Sequence, residues 1–314
     1  MALQTTGAIS LSDVEDEFGG STPTSISEYY SADTGVPASG EISLSDFYGT
    51  SARVTINLAI SANTNNYNIY TQASADPTYS AGNTDVILTV NARLGSTSTS
   101  NPALDTGVFA SGDTIKLVNN DRILGKGGLG GNGGNSGANA GANGGAGGIA
   151  LKLQFPITID NQDRINGGAG GGGGGGGAYG RGRASTKHGV YYTATAGGGG
   201  GGGGAGRTQS AGGSGGTGAS AGTAGSNSTQ LNGGAGGSGG YHVVSYASAS
   251  GGDGGNGGGQ GANGSNGTAG SAAGQYGTTA VGAGGTGGAA GLAIQTNGNS
   301  ITYITTGTIN GAVT

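Results

Sequence analysis

Two uninterrupted runs of glycine constrain this chain more than any other feature. The runs are Gly170–Gly177 and Gly197–Gly204, and they bracket the segment 178–196. Glycine loses more conformational entropy on ordering than any other residue, so an ordered run is costly unless the fold leaves no room for side chains. The matched placement predicts two rods that carry a loop between them.

Disorder is the main alternative for such a composition. The chain has 314 residues, of which 80 are glycine, and only 9% of its residues are charged. Glycine at this level is typical of disordered segments. A disordered chain also carries many charges and few apolar segments, whereas strand-like runs occur throughout this one. We therefore expect an ordered, mostly β and irregular protein without one large apolar core.

The residue inventory argues against catalysis. Cysteine is absent, which excludes disulfides and thiolate metal sites. His188 and His242 are the only histidines, and beyond Ile165 the chain carries a single carboxylate, Asp253. Neither a catalytic triad nor a carboxylate pair can form there. We expect a protein that is not an enzyme, with no cofactor, no metal site and no nucleic-acid partner.

Charge is distributed unevenly along the chain. Residues 1–50 contain eight Asp or Glu and no Lys or Arg, while the glycine-rich half is mainly basic. Ends of opposite sign suggest two different partners. No apolar run approaches the about 20 residues of a membrane span, and the start lacks the features of a signal peptide. We expect synthesis in a cytoplasm.

The first 50 residues contain an internal repeat. The sequence ISLSD occurs at 9–13 and again at 42–46. Ser12 followed by Glu15 predicts a capping box, with Gly19 ending the helix, and Ser25 with Glu28 repeats the pattern. We expect short helices with little core of their own. The segment either docks on another protein or packs as an arm on its own chain.

Alternating β-branched residues begin at Arg53. Strand-like runs occupy RVTINLAI (53–60), YNIYTQA (67–73), DVILTVNARL (85–94) and TIKLVNN (114–120), with turn clusters between the first three runs. We interpret residues 51–125 as a small antiparallel β-sandwich-like domain.

The remaining region, 126–314, has a three-residue period. Its unit is Gly-Gly-X, as at Leu129, Asn132 and Asn135. A polyproline II helix has three residues per turn and no internal hydrogen bonds, so neighbouring helices must satisfy each other's backbone groups. Close approach then requires glycine at two of three positions. Collagen is excluded because no proline follows Pro156.

Strand-like segments separate the rods. The sequences TIKLVNNDRILGKGG (114–128) and PITIDNQDRINGG (156–168) share a strand, Asn, one residue, Asp-Arg-Ile and then a glycine rod. GLAIQTNGNSITYITTGTI (291–309) closes the series with strands. These segments are predicted to clamp the ends of the rods.

The chain resembles the distal tail-fibre adhesins of T-even-like bacteriophages. The resemblance rests on the Gly-Gly-X rods and the Tyr-rich interruptions AYGRGRASTKHGVYYTATA, YHVVSYASAS and SAAGQYGTTA within 125–291. It implies a polyglycine II helix bundle that displays variable loops, a receptor-binding role and a place in the virion tail. The β-rich middle departs from the family pattern and leaves the attachment mode and copy number open.

The acidic N-terminal segment also looks like the starts of tailed-phage structural proteins. On this resemblance residues 1–50 attach to other virion proteins, and a homotrimer is one alternative because fibres are commonly trimeric. The bundle, however, satisfies its own hydrogen bonds without a partner chain. The residues assigned to attachment are Ile9, Leu11, Val14, Phe18, Tyr29, Tyr30, Leu44 and Phe47.

The interruptions supply the candidate binding residues. The segment 178–196 carries tyrosines and cations but no acid. Tyrosine suits the apolar faces of sugars, and arginine suits phosphate or carboxylate, so we expect a surface glycan or an outer-membrane protein as receptor. The alternative is that these residues only solubilise and close the bundle end. The candidates are Tyr179, Arg181, Arg183, Lys187, His188, Tyr191, Tyr192, Tyr241, His242, Tyr246 and Tyr276.

Two other functions remain open on the sequence alone. A head fibre or capsid decoration protein would use the same N-terminal attachment at the capsid instead of the tail. An ice-binding or extracellular structural protein would need regular Thr or Ser arrays on one rod face, but only scattered Asn, Ser and Thr occur.

Overall fold

A computed structural model describes residues 3–20, 23–33, 35–186 and 189–314. Within these ranges no helix is both long and apolar enough to span a membrane. The helices are short. They are α1 (Leu11–Phe18), α2 (Ile69–Ala73) and two 3-10 helices, Ile26–Tyr29 and Leu44–Phe47.

A stack of parallel strands forms the apolar core. The chain coils repeatedly through three sheets, so that each coil adds one strand to a sheet. The first sheet has β1 (Val54–Ile60), β4 (Thr84–Val90), β7 (Thr114–Asn119), β10 (Ile157–Asn161) and β19 (Ile301–Thr305). The second has β2 (Thr64–Asn65), β5 (Leu94–Gly95), β8 (Arg122–Leu124), β11 (Arg164–Asn166) and β20 (Thr308–Asn310). The third has β3 (Tyr67–Asn68), β6 (Leu104–Asp105), β9 (Leu151–Lys152) and β18 (Ile294–Gln295).

The expected antiparallel sandwich is wrong, because neighbouring strands of these sheets run parallel. Alternating burial, as in β4, shows only that one face of a strand is buried. It does not encode the direction of the neighbouring strand. Inside this stack the inward side chains, including Leu88, Leu117 and Ile159, meet in one core.

One predicted strand is partly a helix. Within YNIYTQA only Tyr67–Asn68 is a strand, and α2 follows with the Asn68 side chain accepting a hydrogen bond from the amide of Thr71. Ile69 and Ala73 are both fully buried. Their spacing of four residues places them on one helical face, so the helical period decides this segment.

The two Asp-Arg-Ile segments stack directly on each other, as strands of neighbouring coils. Arg122 pairs with Arg164, and Ile123 with Ile165. The side chains of Asn119 and Asn161 are buried, and Nδ2 of Asn119 donates to Oδ1 of Asn161 at 2.7 Å. The repeated sequence therefore gives repeated structure, and the expected strand in GLAIQTNGNSITYITTGTI is confirmed by β18, β19 and β20.

The glycine-rich segments leave the stack between its second and third sheets. One excursion runs from β8 to β9, and the other from β11 to β18. The hydrogen-bonded segments are 125–135, 139–149, 167–177, 197–206, 210–217, 220–228, 232–240, 251–259, 262–270 and 281–291. As a consequence, the β stack is assembled from coils that precede, separate and follow the glycine-rich segments.

Hydrogen bonds between these segments recur at every third residue. The amides of Gly128, Gly131 and Gly134 donate to carbonyls that are also three residues apart in the segment 167–177, each at 2.8 Å. The two octaglycine segments are direct antiparallel neighbours, as the bonds from Gly172 to Gly202 and from Gly175 to Gly199 show. The predicted pair of rods is therefore present.

The two octaglycine segments lie at the centre of the assembly. The segment 167–177 is hydrogen-bonded to six neighbours, which are 125–135, 139–149, 197–206, 251–259, 262–270 and 281–291. The segment 197–206 also has six, which are 125–135, 167–177, 210–217, 220–228, 232–240 and 251–259. The remaining segments surround this central pair and have an outer side.

Complete enclosure explains why the central runs contain only glycine. A Cβ on Gly172, Gly173 or Gly174 would lie 2.0–2.1 Å from a carbonyl oxygen, and each of the three faces a different neighbouring segment. No outward position therefore exists in these runs. Peripheral segments have an outer side and carry other residues there, one in three in 232–240 and two in three in 262–270.

Asparagine at the outer positions has a structural role. The Oδ1 atom of Asn143 accepts from the amide of Thr286 at 2.9 Å, and that of Asn266 from the amide of Gly287 at 2.8 Å. Peripheral segments lack a full set of neighbours, so some of their amides have no backbone carbonyl to bind. These side chains supply the missing acceptor.

The N-terminal segment has the expected short helices, which surround a small apolar core of their own. Val14, Tyr29, Val36 and Phe47 are buried together. The first capping box is formed by Ser10 and Asp13, not by Ser12 and Glu15, so α1 starts two residues earlier than predicted. The box of Ser25 and Glu28 and the helix end at Gly19 are confirmed.

The central glycines give a first testable prediction. In Gly202→Ala the new Cβ would lie 1.9 Å from the carbonyl oxygen of Gly234. Overpacking a close-packed core costs about 1–3 kcal/mol, and here relief would also break hydrogen bonds between segments. We expect a loss of at least about 3 kcal/mol in thermal unfolding experiments. Ala235→Ser, at an exposed outer position, should change stability by less than about 0.5 kcal/mol; equal effects would contradict this packing.

An ion pair at the start of the stack gives a second prediction. Arg53 donates to both carboxylate oxygens of Asp85, at 2.9 and 2.6 Å. These hydrogen bonds hold the pKa of Asp85 below its usual range, and a hydrogen bond from the Thr114 hydroxyl lowers it further. A lowered folded-state pKa stabilises the fold above the unfolded carboxyl pKa of about 3.9, and this contribution is lost as the pH falls through the folded-state pKa.

Replacing that carboxylate should therefore have a pH-dependent effect. We expect Asp85→Asn to cost about 0.5–1 kcal/mol at pH 7, since the pair is partly exposed to solvent. The difference from wild type should shrink at pH 3, where the carboxyl of the unfolded wild-type chain is already largely protonated. Urea unfolding at both pH values measures this, and a pH-independent difference would exclude the charge as its cause.

Candidate functional site

Six short strands form one end of the glycine-rich region. In each glycine segment, this end is the one that lies farther in sequence from the β stack. They are β12 (Ala178–Gly182), β13 (Tyr192–Ala196), β14 (Tyr241–Val244), β15 (Ala247–Ser250), β16 (Ser271–Gly274) and β17 (Thr279–Val281). They make two antiparallel sheets, in the orders β13-β12-β17 and β14-β15-β16. The three Tyr-rich interruptions therefore meet in one place, which we call the hairpin tip.

Small residues allow the two sheets of the tip to pack closely. The shared core consists of alanines, with Ala178, Ala194 and Ala249 fully buried. A Cβ on Gly182 would lie 1.8 Å from the carbonyl oxygen of Tyr246. Alternate residues of β12 are buried, so Tyr179 and Arg181 lie on its opposite, outer face.

Two arginines converge on one tyrosine. The guanidinium carbon of Arg181 lies 3.7 Å from the ring centroid of Tyr191, and that of Arg183 lies 5.1 Å from it. The guanidinium of Arg183 also donates to the carbonyl of Thr186 at 2.6 Å. Arginine over an aromatic face is attracted by the ring electrons, which fixes both cations in one region.

No carboxylate balances these charges within the tip. The sequence of the three interruptions contains no Asp or Glu. Asp253 lies in the adjoining segment, and its Oδ1 accepts from the amide of Gly239 at 2.9 Å. The tip therefore presents two fixed positive charges with aromatic surface beside them, an arrangement that attracts anionic groups.

The second sheet of the tip contains no Asp, Glu, Lys or Arg and has an apolar groove. A shallow groove of about 520 Å³ is lined by Val243, Val244 and Tyr246 together with neighbouring backbone and small side chains. Val243 is 55% exposed and Tyr241 is 68% exposed. The rings of Tyr192 and Tyr246 lie 6.0 Å apart and join this surface to the first sheet. Exposed valines such as Val243 were not among the predicted residues; their alternation in YHVVSY was the available signal.

Other predicted residues occupy different environments. His242 is half-buried, and its Nδ1 accepts from the amide of Thr195 at 3.1 Å, so it links the two sheets. Tyr179 is also half-buried, whereas Tyr276 is exposed. Lys187 and His188 lie outside the described residues.

Two exposed tyrosines adopt a left-handed backbone. Tyr246 has φ 64° and lies in the turn between the antiparallel neighbours β14 and β15. Tyr276 has φ 50° and lies in the turn that connects β16 of one sheet with β17 of the other. Turn positions of this kind favour Gly, Asn or Asp, and a bulky residue there is strained. Such strain points to a role for the side chain that the turn itself does not require.

The residues predicted for virion attachment divide into two groups. Val14, Tyr29 and Phe47 are buried in the core of the N-terminal segment. The others are partly buried on its surface and remain open to contact; they are Ile9, Leu11, Phe18, Tyr30 and Leu44.

Comparison with known proteins decides the family. The model of the family described as "Phage tail fibre adhesin Gp38" matches residues 55–314. The chain belongs to this family of phage tail fibre adhesins. It is therefore a receptor-binding protein of the virion tail that acts in host attachment, and the head-fibre and ice-binding alternatives are not favoured.

A solved structure shares the fold of this adhesin. It is the gp37-gp38 adhesin tip complex of the long tail fibre of bacteriophage S16, with 20% sequence identity and a TM-score of 0.50. The match covers 99% of this chain and 100% of the other. No curated protein sequence matches the chain. Among the residues that the structure describes, no group of His, Asp and Glu is arranged to hold a metal ion.

The strained turn gives a third prediction. Tyr276→Asn keeps a residue that tolerates the left-handed conformation and removes the exposed ring. We expect the melting temperature to stay constant or rise by the equivalent of up to about 1 kcal/mol, while adsorption of the adhesin to host cells falls. A destabilised variant would show instead that the ring supports the fold.

Proposed function

We propose that the hairpin tip is the receptor-binding surface of this adhesin and that its ligand is an anionic glycan of the bacterial surface. The observation that carries the proposal is the pair Arg181 and Arg183 on the ring of Tyr191, with no carboxylate nearby in the tip. A guanidinium binds phosphate or carboxylate through two parallel hydrogen bonds. Substituents of this kind on a sugar would meet both charges at once.

The exposed aromatic rings fit the same ligand class. Tyr192, Tyr241 and Tyr276 are 40%, 68% and 53% exposed. Aromatic faces bury apolar area and, through the hydroxyl, offer a polar contact at the rim. We assign the anionic groups of the ligand to the arginines and its ring faces to these tyrosines.

A protein receptor is the second candidate, and the apolar groove favours it. The groove beside Val243 and Tyr246 carries no charge, and a loop of an outer-membrane protein would bury apolar side chains there. Tyr-rich surfaces bind proteins in antibody paratopes in a similar way. The arginines lie on the first sheet and the apolar groove on the second, so variants at the arginines and in the groove separate the two candidates.

We also propose that the segments 125–291 form a polyglycine II bundle. Hydrogen bonds to a given neighbour recur every third residue, which is the period of this helix. The proposed division of labour is attachment by residues 1–50, a β-rich spacer that begins at residue 51, and recognition by loops within 126–314. No enzymatic activity or cofactor is part of the proposal.

The partner at the other end is proposed to be a fibre protein of the same virion. The S16 adhesin was solved as a complex of gp37 with gp38. The N-terminal segment of this chain is acidic and carries partly exposed apolar residues such as Leu11 and Leu44, which suits a docking role. A homotrimer of this adhesin stays a prediction.

The decisive experiment measures adsorption of purified adhesin to host cells and its ability to block infection. The variant replaces Arg181, Arg183, Tyr191 and Tyr192 by Ala. Loss of a bidentate arginine contact costs about 1.5–3 kcal/mol, so the combined change should weaken binding by more than about 100-fold. The charge control is Arg122→Ala with Arg164→Ala, two arginines of the β stack.

The outcome also identifies the receptor class. Inhibition by purified lipopolysaccharide, and loss of that binding in the variant, would support the anionic glycan. Val243→Asp, in the apolar groove, should have little effect on it. If Val243→Asp alone abolishes adsorption, a protein receptor replaces the glycan; if neither variant differs from wild type, the hairpin tip is not the binding surface.

A further inference from the structure

One two-residue unit of the β stack recurs in three neighbouring coils. Two of the coils carry Asp-Arg, at 121–122 and 163–164, and the coil before them carries Ala-Arg, at 92–93. These positions are in register along the second sheet. The residue after each arginine belongs to the apolar core, so the arginines themselves lie on the outer face of the sheet. We call these three residues the arginine row.

Two members of the arginine row have a carboxylate partner. Nε of Arg122 lies 3.9 Å from Oδ1 of Asp121, and Nε of Arg164 lies 2.9 Å from Oδ1 of Asp163. Among the described residues, no carboxylate forms an ion pair with Arg93. Like charges on neighbouring strands destabilise a sheet unless they are compensated. Arg93 is therefore the uncompensated member of the row.

A further arginine lies beside Arg93. Arg207 directly follows the central segment 197–206, and its side chain crosses the backbone of Gly95, which is two residues after Arg93. A Cβ on Gly95 would lie 1.9 Å from Cγ of Arg207. Burial, and to a smaller extent the charge of Arg93, lower the pKa of Arg207. The two guanidinium groups are therefore close enough to repel each other.

The protein itself does not satisfy this pair of cations. The Nε atoms of Arg93 and Arg207 are buried and donate to no acceptor among the described residues, which costs free energy. A third cation lies in the same turn, where Nζ of Lys126 donates to the hydroxyl of Thr208 at 2.5 Å. Positive charge is thus concentrated where the segment 197–206 meets the β stack.

We propose that Arg93 and Arg207 form a binding site for a phosphate group, which fastens the end of the central segment 197–206 to the β stack. Both side chains are half-buried and reach the surface. Two guanidinium groups that repel each other are both attracted by one anion between them. Arginine also matches phosphate in geometry, because its N–H groups donate in parallel to two oxygens.

A groove beside the arginines leaves room for a sugar that carries the phosphate. The groove has a volume of about 420 Å³, within the range of small-molecule sites. Arg122, Gln209 and the turn 229–232 line it. Gln230 connects the groove to the arginine pair, since its Oε1 accepts from Nη1 of Arg93. Free phosphate and a sugar phosphate present the same group to the arginines, and the experiment distinguishes them.

This inference does not rest on the proposed receptor site. The arginine pair belongs to the β stack end of the glycine segments, whereas the hairpin tip forms their other end. Stability of the purified adhesin reports on the arginine pair without host cells. Failure of either proposal therefore leaves the other intact.

The test measures the melting temperature of the full-length adhesin in sodium phosphate, in glucose 6-phosphate and in sodium chloride of matched ionic strength. With a dissociation constant of about 1 mM, about 100 mM phosphate should raise the melting temperature about 4 °C above its value in sodium chloride. A larger rise with glucose 6-phosphate would identify a sugar phosphate as the ligand. An equal or smaller rise would identify the free ion.

The sharpest variant restores the unit that the other two coils carry. Ala92→Asp places a carboxylate next to Arg93, at a position that is half-buried like Asp121 and Asp163. We expect it to raise the melting temperature in sodium chloride, because it compensates the charge of Arg93. It should also remove the additional rise in phosphate, because the carboxylate takes the place of the anion.

Arg207→Gln removes one of the two repelling charges and should lose the additional rise as well. The matched control is Arg164→Gln, a member of the arginine row that is paired with Asp163, and it should keep the full rise. Phosphate also stabilises proteins in general by exclusion from their surface. That effect acts alike on wild type and variants, so only the difference between them reports on the site.

Two results would overturn the site. One is a melting temperature that phosphate raises no more than sodium chloride does. The other is a phosphate response of Ala92→Asp and Arg207→Gln equal to that of wild type. Should Arg207→Gln fail to fold, Arg207→Lys keeps the aliphatic stem over Gly95 but loses the parallel donors. We expect Arg207→Lys to show about half of the wild-type rise, and a full rise would contradict recognition by the guanidinium.

Discussion

The rest of this structure depends on the hydrogen bonds between glycine segments, both parallel and antiparallel. These segments lie so close together that no Cβ atom fits between them. A segment without internal hydrogen bonds is stable only if neighbours satisfy its backbone groups. The central segments 167–177 and 197–206 meet that condition on all sides, each with six neighbours. Each hydrogen bond contributes only about 0.5–1.5 kcal/mol, and ordering a residue costs about 1–2 kcal/mol, so the assembly is cooperative by necessity.

The β stack determines where the glycine segments start and how they are aligned. Both glycine excursions begin directly after strands of one sheet, β8 and β11, which are hydrogen-bonded neighbours in register. The first residues of the segments 125–135 and 167–177 are therefore already aligned when they leave the stack. The apolar core around Leu117 and Ile165 thus fixes the register of segments that have no side chains to set it.

Much of this architecture could be predicted from the sequence because glycine patterns have a direct steric meaning. The two octaglycine runs predict an antiparallel pair, and the Gly-Gly-X period predicts an outer position, as at Asn132. The central location of that pair was not predictable, since it depends on how many other segments surround it. Likewise, Arg181 and Tyr191 are evident as loop residues, but their contact depends on the pairing of β12 with β13.

Three predictions from the sequence were wrong, and each has an identifiable physical reason. Alternation from Val54 to Ile60 indicates a strand with one buried face, but strand direction comes from the coil as a whole. The capping serine of α1 was misplaced because Ser10 and Ser12 both precede an acid at the required spacing. In YNIYTQA the spacing of Ile69 and Ala73 fits a helix, while β-branched and aromatic composition favours a strand.

The direction of the hydrogen bonds in the glycine region has a mechanical consequence. The bonds run across the segments, whereas the hairpin tip and the β stack lie at opposite ends of them. With the receptor bound at the tip, as proposed above, a virion pulled away from its host loads the segments along their length. Many hydrogen bonds perpendicular to the segments are then loaded in shear at the same time, and none is opened alone. The glycine region therefore resists tension without a covalent cross-link.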